Sequence, residues 1–277
     1  MGWVYKHTMF FAMVSMFVGL SMTASHPESS LAKPASKPNI IFILTDDMRK
    51  DDLNARYMPK THSLLASEGM SFQNAFVSTP LCCPSRATTM RGQYAHNTGV
   101  WFNRNVFNPD GPDGGWEGYQ RNGYEEDNVA TRLHDETVGY RTGLFGKYLN
   151  NYDGSTVPGG WDDWFAFKQV SYYNYDMNDN GTIVHYGSDE SDYSTDVLSE
   201  QTQQFIDQSV ALGKPFFAYV APKAPHSSAT PAPRDLQTFD GEQAPRLPSF
   251  DEEDVSDKPP WIQSLRRLSS RDIANID

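Results

Sequence analysis

Five successive apolar residues, Ile40-Ile41-Phe42-Ile43-Leu44, stand between Pro38-Asn39 and Thr45-Asp46-Asp47. A run this short, with no polar alternation, fits a strand buried on both faces, as in a parallel sheet covered by helices. Two later segments repeat the pattern. Asn128 to Thr137 reads as a helix ending at Gly139, followed by a strand over Tyr140 to Phe145. Thr195 to Leu212 places Val197, Leu198, Phe205, Ile206 and Val210 at helical spacing, and the apolar strand Phe216 to Ala221 follows Pro215. Together they predict an α/β fold with a central, mostly parallel sheet flanked by helices. Ligands of such sheets gather beyond the carboxyl ends of the strands. There the sequence places Asp46-Asp47, Gly146-Lys147 and Ala221-Pro-Lys-Ala-Pro-His226, so three strands deliver chemistry to one edge.

The remaining chain is read more coarsely. Pro59 to Glu68 predicts a short helix closed by Gly69, and Met70, Phe72 and Phe76 suggest a strand feeding the loop to Cys82, which would complete a first βαβ unit. Trp101 to Tyr124, rich in Gly, Asn, Pro and aromatics, reads as surface loops. Trp161 to Tyr186 mixes Tyr, Asn and Asp in a way that suits sugar stacking and a plain loop core equally. Asn180-Gly-Thr182 is a glycosylation sequon, meaningful only in a eukaryotic secretory pathway. Thr230 to Pro260 reads as an extended surface crossing, and Trp261 to Asp277 as a helix carrying Leu265 and Leu268.

Both cysteines lie side by side in Thr79-Pro-Leu-Cys82-Cys83-Pro84-Ser85-Arg86-Ala-Thr-Thr-Met-Arg91-Gly92-Gln93. Pro84 sits where a proline opens a helix and Gly92 where one ends, so Cys82 is expected just outside a helix N-terminus. Unpaired N–H groups and the positive end of the helix dipole favour an oxyanion at that point. Two buried thiols, a strained vicinal disulfide and a redox-sensing pair are the competing readings of adjacent cysteines, and no Cys-x-x-Cys or His-rich ligand set accompanies them. Asp46 and Asp47 either hold a hard divalent cation between them or serve as capping or solvated aspartates.

The string Cys82-x-Pro84-Ser85-Arg86 resembles the signature of the type I, formylglycine-dependent sulfatases of the alkaline phosphatase superfamily. Four further blocks agree in order: Lys37 to Asp47, Gly143-Leu-Phe-Gly146-Lys147, Gly160-Trp-Asp-Asp-Trp164 and Ala221 to His226. The resemblance covers nearly everything from Lys37 onward, and Gly-Lys-Tyr-Leu-Asn is similar to the N-acetylglucosamine-6-sulfatase and arylsulfatase-like branch. Two departures are visible. Arg91-Gly92-Gln93 stands where the family usually has Thr-Gly-Arg or Thr-Gly-Lys, and Leu149 then Asn150 stand where it often has a histidine.

The resemblance implies an alkaline phosphatase-like fold and the hydrolysis of sulfate esters, with sulfated carbohydrates as substrates. It implies that a formylglycine-generating enzyme converts Cys82 to formylglycine, and that one Ca2+ is held by Asp46, Asp47 and residue 82. The aldehyde hydrate would attack sulfur, His226 would help the alcohol leave, and Arg86 and Lys147 would stabilise the sulfuryl oxygens. Lys223 is expected to be structural, and His96 is left unassigned. A phosphate-ester hydrolase of the same superfamily and a truncated, inactive glycan-binding remnant remain alternatives.

The formal net charge of −12 argues against nucleic acid as a partner, and capture of a sulfated polymer would need a local basic pocket. Lys6 and His7 before Met9 to Met22, with Thr23-Ala24-Ser25 after it, predict a cleaved signal peptide over 1–25. A linker over 26–37 and an N-terminal sulfatase catalytic domain over 38–277 follow, in a secreted or periplasmic protein without a stable membrane anchor. Family members continue through an Asp-Asn-Gly or Asp-His-Gly block that carries the remaining metal ligands. No such block follows His226, so the C-terminal part of the domain is expected to be missing and the calcium site short of ligands.

Overall fold

The computed structural model describes residues 37–109 and 111–276. The expected leader, and the expected linker up to residue 36, lie outside the described residues. The strands are β1 (Ile40–Ile43), β2 (Val100–Phe102), β3 (Asp113–Gly114), β4 (Arg141–Gly146), β5 (Asp163–Phe167), β6 (Tyr175–Asp179), β7 (Thr182–Tyr186) and β8 (Phe216–Ala221). The α-helices are α1 (Pro59–Thr61), α2 (Cys82–Arg91), α3 (Ala95–Thr98), α4 (Gly115–Arg121), α5 (Val129–His134), α6 (Ser194–Ala211), α7 (Pro260–Gln263) and α8 (Ser270–Ile276). Six strands form one sheet in the order β1-β8-β4-β5-β6-β7. The first four run parallel, with Ile40 opposite Phe217 and Gly143 between Ala218 and Asp163, whereas β6 and β7 are antiparallel.

Each face of the sheet has its own core. On one, α2 and α4 bury Ala87, Met90, Trp116 and Tyr119 with Leu144, Trp164 and Tyr219. On the other, α6 sets Val197, Leu198 and Phe205 against Phe145, Phe165 and Phe216. Full burial of such a side chain contributes about 1.5–3 kcal/mol, so the two layers hold β4 and β8 firmly. The expected α/β architecture is the observed one, and α6, β4 and β8 fall within a residue or so of their predicted bounds.

Several expectations are corrected. β1 is not buried on both faces: Ile40 and Phe42 turn toward the first core, but Ile41 and Ile43 are 50% and 56% exposed. Among the described residues it has one neighbour, β8, and α6 packs over β4 and β8. No strand forms over residues 70–81. Met70, Phe72 and Phe76 share the parity of one strand face, but the polar Asn74 interrupts that face, and all three apolar side chains are exposed in an irregular segment. The first βαβ unit therefore does not form, and a loop delivers Cys82. Helix α2 begins at Cys82 itself, with Leu81 as its N-cap and Gly92 as its left-handed C-cap.

The aromatic segments also differ. Trp101 to Tyr124 contains β2, β3 and α4, and buries Trp116 and Tyr119. Trp161 to Tyr186 contains β5, β6 and β7, with Trp164, Phe165, Phe167 and Tyr175 in the core, so most of its aromatics pack inward. Asn180 and Gly181, at φ 48° and 93°, make the tight turn of the β6–β7 hairpin. Val210 is 61% exposed despite its helical spacing. The expected last helix is two short ones, α7 and α8, with residues 265–269 outside both.

Candidate active site

Because β1, β8 and β4 are parallel, whatever follows them emerges on one side. After β1 the Leu44 N–H donates to Val220 O at 2.9 Å and the Asp46 N–H to Ala224 O at 3.2 Å, which ties Asp46 to the chain leaving β8. After β4 the Lys147 N–H donates to Ala221 O at 2.8 Å. Gly146 makes that approach possible. Its φ is 114°, and a Cβ there would lie 2.2 Å from Ala221 O.

Asp46 is the meeting point. Its carboxylate is 4% exposed and lies between two equally buried cations, Lys147 Nζ at 2.5 Å and Arg86 Nη2 at 3.4 Å. Arg86 also donates to Lys147 O at 2.7 Å, so the helix α2 side chain and the β4 terminus are locked together. Buried charges persist only when paired and hydrogen-bonded in this manner. Asp47 adopts a left-handed φ of 61°, which Asp accepts more readily than most residues. One ligand atom from each of Asp46, Asp47 and Cys82 lies within 4.8 Å of the other two.

Cys82 is the first residue of α2. The Cys83 N–H donates to Asn103 Oδ1 at 2.8 Å, Pro84 has no N–H, and the Ser85 N–H reaches Leu81 O at 3.0 Å. Among the described residues the Cys82 N–H alone remains unpaired at this helix start, where the helix dipole favours negative charge. Cys83 is fully buried, and burial pushes its thiol up to about 12, so it stays protonated and inert. The two cysteines are free thiols, not a disulfide.

His226 closes the group. Its Nδ1 lies 2.8 Å from Ser227 O, which can only accept, so Nδ1 carries a proton and Nε2 faces Asp47 Oδ2 at 3.4 Å. Its carbonyl accepts from Tyr172 Oη at 2.7 Å and from Lys223 Nζ at 3.4 Å. Lys223 also donates to Ser227 O and lies 4.6 Å from the Tyr172 ring centroid. Burial holds its ammonium below the ordinary lysine range. His96 is exposed and stacks on Tyr94.

The six sequence-predicted residues are thus brought together: Asp46 pairs with Arg86 and Lys147, Asp47 meets His226, and the Cys82 thiol lies within 4.8 Å of a ligand atom of each aspartate. Two clefts open on them and share Asp46: one of about 220 Å3 along Asp47, Cys82 and Arg86, the other of about 310 Å3 along Lys147 and His226. Sequence reasoning missed Asn103, which fixes the start of α2 and accepts from Asn151 Nδ2 at 2.9 Å through its carbonyl. Nothing in its sequence surroundings marks it. The carboxylates suit a hard cation, while the Cys82 thiol is soft; the donor set fits calcium once residue 82 carries oxygen.

Residues 38–277 match the Sulfatase family model. The chain belongs to the sulfatase family. This sulfatase is 36% identical over 246 residues to the putative extracellular sulfatase Sulf-1 homolog of Caenorhabditis elegans, covering 87% of its own length and 33% of that protein's. It is 36% identical over 230 residues to the N-acetylglucosamine-6-sulfatase of Homo sapiens, covering 79% and 40% of the two chains. The chain therefore spans less than half the length of these relatives. Among solved structures, BT4656 in complex with its substrate D-glucosamine-2-N,6-O-disulfate aligns with a TM-score of 0.59 and 27% identity, over 78% of this chain and 40% of that one.

Proposed function

We propose that this sulfatase hydrolyses sulfate esters of carbohydrates at the site built on Asp46, and that residues 38–277 are the N-terminal part of its catalytic domain. The observation that carries the reading is the convergence of Asp46, Asp47 and Cys82 donor atoms within 4.8 Å beside two buried cations. Asp46, Asp47 and residue 82 would hold Ca2+, which lowers the pKa of a bound hydroxyl. As formylglycine, residue 82 would supply a hydrated aldehyde as the nucleophile. The chain's other groups have separate tasks. The unpaired Cys82 N–H and the α2 dipole favour the charge of a sulfuryl oxygen, and Lys147 and Arg86 hold fixed positive charge that needs no reorganisation during reaction. With protons on both ring nitrogens, His226 would give the Nε2 proton to the leaving alcohol, while Tyr172 and Lys223 hold its backbone carbonyl.

The 36% identity to the human N-acetylglucosamine-6-sulfatase supports a sulfated sugar, as does the substrate-bound structure at 27% identity. The name of the Caenorhabditis elegans relative supports an extracytoplasmic location, with 1–25 as leader and 26–37 as linker. Among the described residues no helix is long and apolar enough to cross a membrane. The test is production with a formylglycine-generating enzyme, peptide mass spectrometry at residue 82, and 4-nitrophenyl sulfate turnover with and without calcium. Formylglycine together with calcium-dependent turnover that Cys82→Ala removes is the expected result. Modification without turnover, or turnover that survives Cys82→Ala, would overturn the reading.

A further inference from the structure

Helix α2 starts without a cap of its own. An N-cap side chain normally accepts from the second or third N–H of its helix, but the N-cap here is Leu81, which has no acceptor to offer. The third helical residue, Pro84, has no N–H, so the donor in need of a partner is that of Cys83, which is fully buried. Asn103 meets it from 20 residues away, its Oδ1 accepting at 2.8 Å. Asn103 is itself held. It follows β2, whose Val100 shares a core with Ala87 and Met90 of α2, and its carbonyl accepts from Asn151 Nδ2 at 2.9 Å. Asn151, at a left-handed φ of 64°, belongs to the stretch that leaves β4 through Lys147. That stretch meets α2 twice more, where the Asn150 backbone hydrogen-bonds the Cys83 sulfur and where Lys147 O accepts from Arg86 at 2.7 Å. Residue 82 and Lys147 therefore share one frame, and Asn103 is the member that fixes the backbone N–H next to residue 82.

We propose that Asn103 is a positioning residue for sulfate-ester hydrolysis: by occupying the Cys83 N–H it leaves the Cys82 N–H as the one open donor at the start of α2 among the described residues, so that a sulfuryl oxygen settles at a single place relative to residue 82. The proposal rests on the sulfatase reading of this site. Without Asn103, two successive residues would present open N–H groups to an anion, and a sulfuryl oxygen would settle on either. Both settings hold the anion, so binding survives. Only one presents sulfur to the nucleophile, and a misplacement of about 1 Å costs on the order of 10²-fold in rate. The effect passes through the Cys83 backbone, so a carboxylate at position 103 would serve the same bond. Asn103 Nδ2 makes no hydrogen bond among the described residues, so Asn103→Asp keeps the one bond this side chain makes while adding a negative charge beside an anion site.

The test has two readouts. In the unmodified protein, hydrogen exchange of the Cys83 amide, read by mass spectrometry on a peptide that contains it, should be about tenfold faster or more in Asn103→Ala and close to the parent rate in Asn103→Asp. In the formylglycine-bearing proteins with calcium, Asn103→Ala should lower kcat for 4-nitrophenyl sulfate by about 10- to 100-fold with KM no higher than the parent's, the pattern of a lost alignment and not of lost binding. Asn103→Asp should return most of kcat and raise KM for the anionic substrate. Cys83 exchange that Asn103→Ala leaves unchanged overturns the proposal, as does a parent-like kcat in that variant. Failure of Asn103→Asp to restore kcat, with Cys83 protected, also overturns it, because the side chain would then act otherwise than through this bond. Absence of turnover in the formylglycine-bearing parent removes the sulfatase reading and the proposal with it, whereas turnover in the parent with equal kcat in Asn103→Ala removes the proposal alone.

Discussion

Asp46 and Asp47 are neighbours in sequence with opposite energetic positions. Asp46 is buried against Lys147 and Arg86, so Asp46→Asn would leave two cations in the interior without their counter-charge. A loss of about 3–5 kcal/mol is expected, read from the urea midpoint. Asp47 is 60% exposed on its side chain and among the described residues pairs with His226 alone, so Asp47→Asn should cost under about 1 kcal/mol in the same measurement. The cysteines divide the same way. In native, unmodified protein at mildly alkaline pH, iodoacetamide is expected to label Cys82 and to spare the buried Cys83, as read by peptide mass spectrometry. Equal labelling would bring back a reactive thiol pair. Because burial raises the Cys83 thiol from 9.0 to about 12, the folded state keeps a proton that the unfolded state loses. Its contribution to stability is intact below pH 9.0 and falls as pH rises toward about 12.

Among the elements, β4 shows how a strand end becomes a site. Gly146→Ala would force a methyl group into Ala221 O and strain a φ of 114°, so the variant should lose about 2–4 kcal/mol in denaturant unfolding. It should also lose aryl sulfate turnover, because Lys147 follows directly. Wild-type stability in this variant would mean that β4 and β8 can separate without cost. The glycine was visible in Gly-Leu-Phe-Gly-Lys; its reason was not, since the contact is to a strand 75 residues later. Elements with one dominant signal were legible: β4, β8 and α6 have an apolar run or a helical stripe, and Asn128 caps α5 through Ala130 N–H at 2.8 Å. Elements whose pairing comes from elsewhere were not. The apolar run of β1 carries no mark of having a single neighbour, and the sequon at Asn180 obscured an Asn-Gly hairpin signal that would have located β6 and β7. Asn103 was invisible because its value lies in the Cys83 N–H 20 residues away. Asn103→Ala should therefore cost about 1 kcal/mol by freeing that N–H, read by thermal or urea unfolding.

At the scale of the molecule, three parallel strands gather the site's carboxylates and cations at one sheet edge, so a bound ion acts on the fold as a whole. Calcium takes about six to eight oxygen ligands, and Asp46, Asp47 and residue 82 offer three side chains among the described residues. Binding to the chain with formylglycine at residue 82 should therefore be weak, about 10⁻³ M, at the loose end of the range for extracellular sites. At about 10 mM calcium the folded state would then gain roughly RT ln 11, about 1.4 kcal/mol. For a domain of this size that raises the thermal midpoint by about 3–6 °C. The shift should be absent in Asp47→Asn, whose fold remains intact because its side chain is exposed. Magnesium, which demands octahedral geometry at shorter distances, should give a smaller shift. An unchanged midpoint with calcium would mean that the three groups do not hold the ion together, even though their ligand atoms lie within 4.8 Å. The clustering would then serve the buried Asp46, Lys147 and Arg86 network instead of an ion. A larger shift, equal with both metals and kept in Asp47→Asn, would place the ion elsewhere on a surface of net charge −12.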